Sequence, residues 1–226
     1  MPKGAYSQQI QKQRQAREKR LTANPRNWFS LIGLFPLVPG VNSLGGKSPA
    51  SIIIPGLQQA VEAVFLLEGN AVILGDDAKS VVLNRSAPQA RALCTDHDGE
   101  PDILGIGSVQ IMVIQRGEKF FLRAWDVQST AVKEFKGLNY YPIDPAWQIR
   151  GEFVPYPTPR IIPGEDAIGT RTEVAYIGEA IFEVNGVSCR LMAADEEDGL
   201  LFNFTDLTRS DTTYPGGRWL LSKKPV

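Results

Sequence analysis

The densest group of chemically capable side chains lies between Phe202 and Leu220: Asp206, Thr208, Thr212, Thr213, Tyr214 and Arg218, with Trp219 beside the last. An arginine fork can take a carboxylate or phosphate bidentately, an aspartate can act as a base, and a tyrosine hydroxyl can deliver a proton. Asp206, Tyr214 and Arg218 are therefore the catalytic candidates, suited to a hydrolase or lyase acting on a small anionic substrate. Thr208, Thr213 and Trp219 are the ligand-binding candidates. A structural reading uses the same residues. Asp206 caps a turn through Thr208, and Tyr214-Pro215-Gly216 forms a tight turn in which Pro fixes φ and Gly takes positive φ. Arg218 then pairs with Asp206 across that turn. This reading explains every position and is preferred.

Elsewhere the chemistry is thin. His97 is the single histidine, in Asp96-His97-Asp98-Gly99-Glu100-Pro101-Asp102. A calcium loop needs its glycine at the sixth position, and Gly99 is fourth from Asp96. The stretch reads as an exposed acidic turn, with no metal expected. Gly105-Ile106-Gly107 lacks a third glycine and precedes a strand, so no nucleotide cofactor is expected, and none of any other kind. Cys94 and Cys189 lie 95 positions apart with no metal-ligand spacing and read as reduced structural thiols.

The elements that must position these residues are mostly β. Ser7 to about Ala23 suits a helix of Gln, Lys, Arg, Ala and Glu that ends before Pro25. Its few apolar residues, Ile10, Ala16 and Leu21, predict light docking. From Trp28 the pattern turns to short strands: Trp28–Leu37 broken at Pro36, then Gly40–Gly46 and Ser51–Pro55. A hairpin follows, with Ala63–Leu67 and Ala71–Leu74 joined at Glu68-Gly69-Asn70. Ser80–Leu83 and Ala90–Thr95 are weaker strands. Val109–Ile114 turns at Arg116-Gly117-Glu118 into Phe120–Trp125, and strands of this spacing predict a sandwich. Residues 126–146 read as a connection.

Beyond the connection, Trp147–Val154 alternates, with Trp147, Ile149 and Phe153 on one side. Pro155–Pro159 reads as an extended surface crossing, and Thr172–Ile177 as a strand. Asn185-Gly186 between Ala180–Val184 and Val187–Met192 predicts a type I′ hairpin. Asp195–Gly199 reads as an exposed acidic turn, leading into a strand at Leu200–Phe204. The remaining aromatics (Trp28, Trp125, Tyr140, Tyr141, Trp147, Trp219) are expected mainly in the core, with an aromatic-lined pocket the lesser reading.

Composition sets the outer bounds. The chain has 226 residues, 43% hydrophobic and 22% charged, which suits a soluble globular protein able to bury a sizeable core. Residues 1–26 carry seven Lys and Arg against Glu18 alone, a net +6, so the total of −1 leaves −7 for the rest. A basic head can meet a polyanion or serve as an interaction helix, but a solvated helix face is the commoner explanation. Only Tyr6 interleaves the charges, so nucleic-acid binding is disfavoured. The first apolar run, Trp28–Val38, is too short to span a bilayer, and no export signal is read, so no membrane is expected and the cytoplasm is the expected location.

Trp28, Leu31–Leu34, Gly40, Asn42 and Gly45 resemble the N-terminal signature of the bacterial and archaeal family named domain of unknown function 1684. The resemblance continues through Ile114-Gln115-Arg116-Gly117, Leu122–Asp126, Phe135-Lys136-Gly137-Leu138 and Phe204–Thr208. It ends at Thr213-Tyr214-Pro215-Gly216-Gly217-Arg218, and so covers essentially the whole chain. The family implies no assigned activity. Its members continue into a stretch with Asp-Phe-Asn and Pro-Pro-Cys motifs, which would begin where this chain ends, so a fragment or a shortened member is expected. The first half also looks like a forkhead-associated sandwich, but Gly46 is followed by Lys47, and Leu57–Val61 offers neither the Ser nor the His of a phosphothreonine site.

The expected protein is thus all-β: a basic N-terminal helix over 1–26, a forkhead-associated-like β-sandwich over 28–128 and a second antiparallel β unit over 147–226. The leading function is that of a cytoplasmic, non-catalytic or small-ligand-binding protein, with a small anionic ligand as candidate partner. The alternatives are the hydrolase or lyase above and a protein-interaction module using the basic helix.

Overall fold

The computed structural model describes residues 3–76, 78, 81–84, 91–165, 171–197 and 199–224. The protein is mostly β, with one main helix near its N-terminus. The chain divides into two compact units, Met1–Pro142 and Ile143–Val226.

Unit 1 begins with helix α1 (Lys3–Ala23), one turn earlier than Ser7 as a cap would give. Its docking is polar and specific. Glu18 Oε1 accepts from the Leu138 amide at 2.9 Å, Arg14 Nη2 donates to the Tyr141 carbonyl at 2.8 Å, and the Arg14 guanidinium lies 4.5 Å from the Tyr140 ring centre. The segment leaving the helix is locked by Asn27 and Ser30. The Asn27 amide donates to Ser30 Oγ, and Ser30 Oγ donates to the Pro25 carbonyl.

Strands β1 (Leu31–Pro36), β2 (Gly40–Gly45), β3 (Ile52–Ile53), β4 (Ala63–Glu68), β5 (Ala71–Leu74), β6 (Val82–Leu83), β7 (Ile103–Ile106), β8 (Val109–Arg116) and β9 (Lys119–Asp126) follow. They form two sheets, ordered β1-β9-β8-β7-β6 and β3-β2-β4-β5. Alternation explains the packing: Ile111 and Val113 on β8, Leu122 and Ala124 on β9, and Leu44 and Phe65 from the other sheet all lie inside one shared core. The two sheets thus form the sandwich that the strand spacing predicts. The turns at Gly69 and Gly117 adopt the positive φ that short hairpin loops need.

Several boundaries differ from the sequence expectation. Residues 28–30 form a turn, and β1 starts only at Leu31. The strand expected at Ala90–Thr95 is, in its described part, a single bridge between Ala92 and Ile73. That of Ser80–Leu83 shortens to Val82–Leu83, with Ser80 and Ala90 outside the described residues. Within 126–146 a short helix, α2 (Ala131–Glu134), interrupts the connection.

Unit 2 is one antiparallel sheet, in sequence order: β10 (Gly151–Glu165), β11 (Arg171–Val184), β12 (Val187–Glu196), β13 (Gly199–Phe204) and β14 (Arg218–Ser222). The Asn185-Gly186 hairpin is as expected, with both φ values positive, at 51° and 77°. Two expectations need correction. The strand does not begin at Trp147. Asp144 instead caps a 3₁₀ turn over Pro145–Trp147, its Oδ1 accepting from the Ala146 amide at 2.9 Å, and extended pairing starts at Gly151. Pro155–Pro159 is not a crossing between elements but part of β10, at a register shift between Pro155 and Arg160. Prolines are tolerated there because β10 is an edge strand and the irregularity frees their positions from the ladder. Of the acidic turn at 195–199, Asp198 lies outside the described residues.

Candidate functional site

The Asp206–Arg218 stretch folds into a clasp between β13 and β14. Asp206 Oδ1 accepts from the Thr208 amide at 2.9 Å and from the Thr208 hydroxyl, while Oδ2 meets Arg218 Nε at 3.0 Å. Since the Thr208 proton is committed to Asp206, its oxygen accepts from Thr213 Oγ1 at 3.0 Å and from Arg218 Nη2 at 3.3 Å. Arg209 Nε closes the outer side on the Pro215 carbonyl at 2.6 Å. The Thr208 hydrogen bonds, and after them the Arg218 charge, hold the Asp206 carboxyl below the usual carboxylate range. Such a group is a weak base near neutrality, and both its oxygens are engaged.

Of the sequence candidates, the clasp joins Asp206, Thr208, Thr213 and Arg218. Tyr214 and Trp219 stand beside it, their ring centres 5.8 Å apart and each about half exposed. Tyr214 makes no hydrogen bond to Asp206 or Arg218. The Tyr214-Pro215-Gly216-Gly217 turn closes by Gly217 N–H donating to the Tyr214 carbonyl at 3.0 Å. The positive φ falls on Gly217, at 99°, and not on Gly216. A side chain at Gly217 would also meet the Phe204 carbonyl at 2.7 Å, so turn conformation and close approach select glycine together.

The clasp fixes the register of β14 on β13: Phe204 faces Arg218, Phe202 faces Leu220 and Leu200 faces Ser222. Followed across the sheet, that register puts Leu200, Phe202, Leu191, Ala180, Phe153 and Phe182 on one face. Gly178 lets this face be flat. A Cβ there would lie 2.4 Å from the Phe153 ring, which rests on the bare backbone. The 3₁₀ turn and the residues after it bring Trp147 and Ile149 to the same face. Together these side chains line a trough of about 390 Å³, with Leu220, Ser222 and Lys223 along one edge. Trp147, Ile149 and Phe153 do share one side, as their spacing predicts, although a turn and not a strand delivers the first two.

The edge carries charge. Lys224 pairs with Asp195 at 2.5 Å and Arg218 with Asp206, whereas Lys223 has no carboxylate partner among the described residues. Sequence reasoning missed Lys223, Ser222 and Leu220 because β14 is short and exposed throughout. The usable signal was the alternation of Leu220 and Ser222 opposite Phe202 and Leu200.

In unit 1 the three aspartates around His97 are engaged in local structure. Asp96 pairs with Arg116 at 2.5 Å, Asp98 Oδ2 accepts from the Thr95 amide and hydroxyl, and Asp102 accepts from Arg91, Asn84 and the Cys94 amide. Burial pushes the Asp102 carboxyl up, but those three donors and the Arg91 charge outweigh it and hold it below its ordinary value. Among the described residues no group of three or more His, Cys, Asp or Glu could hold a metal ion. No helix of the described residues is long and apolar enough to cross a membrane.

Comparison with known proteins adds a family match over part of the chain. Residues 133–226 match the family described as Protein of unknown function (DUF1684). The resemblance expected from the sequence is thereby shown for unit 2 and the residues just before it. The N-terminal signature, from Trp28 to Gly45, lies outside the match. No curated protein matches the chain. Among solved structures, the chain is similar to an uncharacterized protein of Haloarcula marismortui determined by solution NMR, at 26% identity over 42% of this chain and 54% of that one, with a TM-score of 0.33. The match spans about half of that protein's length, and a superposition this loose fixes neither fold nor function.

Proposed function

We propose that unit 2 is a non-catalytic binding module for a small amphipathic anion. Its apolar body lies along the aromatic floor, and its anionic end meets Lys223. The observation that carries this reading is an aromatic-lined trough with Lys223 on its edge, a cation without a carboxylate partner among the described residues. A volume of about 390 Å³ falls within the roughly 300–1,000 Å³ range of small-ligand pockets, which combine an apolar lining with a few placed polar groups. Phe153, Phe182 and Phe202 supply the burial, and Ser222 and Lys223 the orientation. In this reading the Asp206–Arg218 clasp is structural. It holds β14 in register so that Leu220 and Lys223 stand along the edge of the floor, and no proton transfer passes through Asp206 or Tyr214.

Titration calorimetry with dodecanoate and with dodecanol tests it. Saturable binding of the carboxylate, weaker binding of the alcohol, and loss of both in Ala180→Phe are expected, because a ring at 180 fills the trough. If neither compound binds, or if Ala180→Phe binds as tightly as the parent, the reading fails.

A further inference from the structure

Unit 1 contains a second cavity, of about 380 Å³, whose lining is strongly basic: Arg17, Arg20, Arg26 and Arg123 converge on it with Trp28. The fold brings them from three places. Arg17, Arg20 and Asn24 lie three and four residues apart, so they form one stripe along the end of α1. The stripe is held in orientation because Arg14 and Glu18, on the neighbouring side of the helix, are fixed by the Tyr141 carbonyl and the Leu138 amide. Arg26 and Trp28 come from the segment locked by Ser30, and Arg26 Nη1 is further pinned by Gln110 Oε1 at 2.9 Å. Arg123 projects from β9, on the side opposite the core residues Leu122 and Ala124.

Four guanidiniums in one place repel each other, and among the described residues no carboxylate lines the cavity. Neither arginine ion pair of unit 1 among the described residues, Arg91–Asp102 or Arg116–Asp96, lines the cavity, although Arg116 and Asp96 are near enough for their charges to act on Arg123. Arg123 is the most exposed to this cost. Its Nε is out of solvent with no hydrogen-bond partner, and its guanidinium lies 5.4 Å from the Trp28 ring centre and 5.2 Å from that of Trp125. Burial, and then the neighbouring charge of Arg116, lower its proton affinity below that of an ordinary arginine, with Asp96 offsetting part of this. A bound anion would offset the repulsion among these cations.

We propose that this cavity binds a small molecule carrying two or more phosphates. Guanidinium forks match phosphate oxygens in pairs, and four of them suit a di- or triphosphate better than a single carboxylate. Trp28 is 70% exposed, and Arg123 is stacked near its ring, which leaves aromatic surface for a nucleobase. The phosphates are the recognised chemistry, and a nucleoside or an inorganic chain are the two sources that experiment must separate.

The test is calorimetry of the full chain with pyrophosphate, ADP, adenosine and a short single-stranded oligonucleotide, at low and at physiological salt. Pyrophosphate and ADP are expected to bind once per chain, more weakly at higher salt, and adenosine is expected not to bind. Arg17→Gln/Arg20→Gln should weaken both phosphate ligands by roughly tenfold or more, since it removes two charge-assisted contacts. Both residues are exposed on the helix, so an unchanged circular dichroism spectrum certifies the fold. If ADP is the occupant, Trp28→Ala weakens ADP and leaves pyrophosphate unchanged. If the inorganic chain is, Trp28→Ala weakens neither. Absence of saturable binding by both phosphate ligands, equal affinity in the double arginine variant, or binding of the oligonucleotide alone would overturn the proposal. Lys223→Gln, in the other unit, should change none of these values.

Discussion

In unit 1 two sheets press their apolar faces together, so that Phe65, Leu44, Ile111 and Leu122 have essentially no exposed surface. In unit 2 a single sheet carries an apolar face on which Ala193, Leu200 and Phe202 form a small buried cluster, while Phe153 and Phe182 stay partly buried and, among the described residues of that unit, Trp147 and Ile149 fold over it. The same period-two alternation therefore has two outcomes. Where a second sheet is available, the alternating residues become core. Where it is not, part of the apolar face stays open as the floor of a trough, and polar residues at the strand ends line its rim.

The largest effect that would sharpen this contrast is in the core. Phe65→Ala should cost about 3–5 kcal/mol in equilibrium denaturation, whereas Phe182→Ala, only partly buried, should cost about 1–2 kcal/mol. Equal costs would mean that the trough floor is core after all.

Next comes the contrast between two aspartates of similar chemistry. Asp102, whose side chain is 3% exposed, satisfies Asn84 and the Cys94 amide as well as Arg91. Replacing it by Ala strands those donors and should cost about 2–4 kcal/mol. Its folded pKa lies below the unfolded value of about 3.9. The contribution is therefore fully present above that unfolded value and is lost as pH falls through the folded one. Denaturation midpoints measured between pH 7 and pH 2 should show this acid loss in the parent and a smaller one in Asp102→Asn.

Asp206 should behave differently. It is solvated, so Asp206→Asn is expected to leave the global denaturation midpoint unchanged within error. The clasp itself should loosen, with faster hydrogen exchange at the Thr208 amide. A global destabilisation as large as that of Asp102→Ala would break the distinction between buried hub and surface clasp.

The fold was legible in the sequence where local rules act alone. Alternation placed Val109–Ile114, Phe120–Trp125 and Leu200–Phe204, and Asn185-Gly186 specified its turn. It was less legible where tertiary context decides. Pro155, Pro157 and Pro159 sit in a strand because that strand is an edge, and Trp147 is delivered by an Asp144-capped turn. The helix is anchored through Arg14 and Glu18, where the apolar count of α1 suggested light docking. The clasp was readable from Asp206, Thr208 and Arg218 because its partners are close in sequence. Neither the trough nor the arginine cavity was. Their residues come from separate elements, and what makes Lys223 or Arg123 notable is that no carboxylate among the described residues pairs with it, which only three-dimensional placement reveals.

The most direct test of the account is the affinity of the full chain for dodecanoate, measured for the parent, Lys223→Gln and Lys224→Gln. Lys223 alone should matter, since Lys224 is already engaged by Asp195. The prediction is a loss of roughly three- to tenfold in Lys223→Gln, the size of one exposed charge-assisted contact, with Lys224→Gln unchanged. Equal affinity in the parent and Lys223→Gln, or an equal loss in both variants, would contradict a ligand oriented by that one cation.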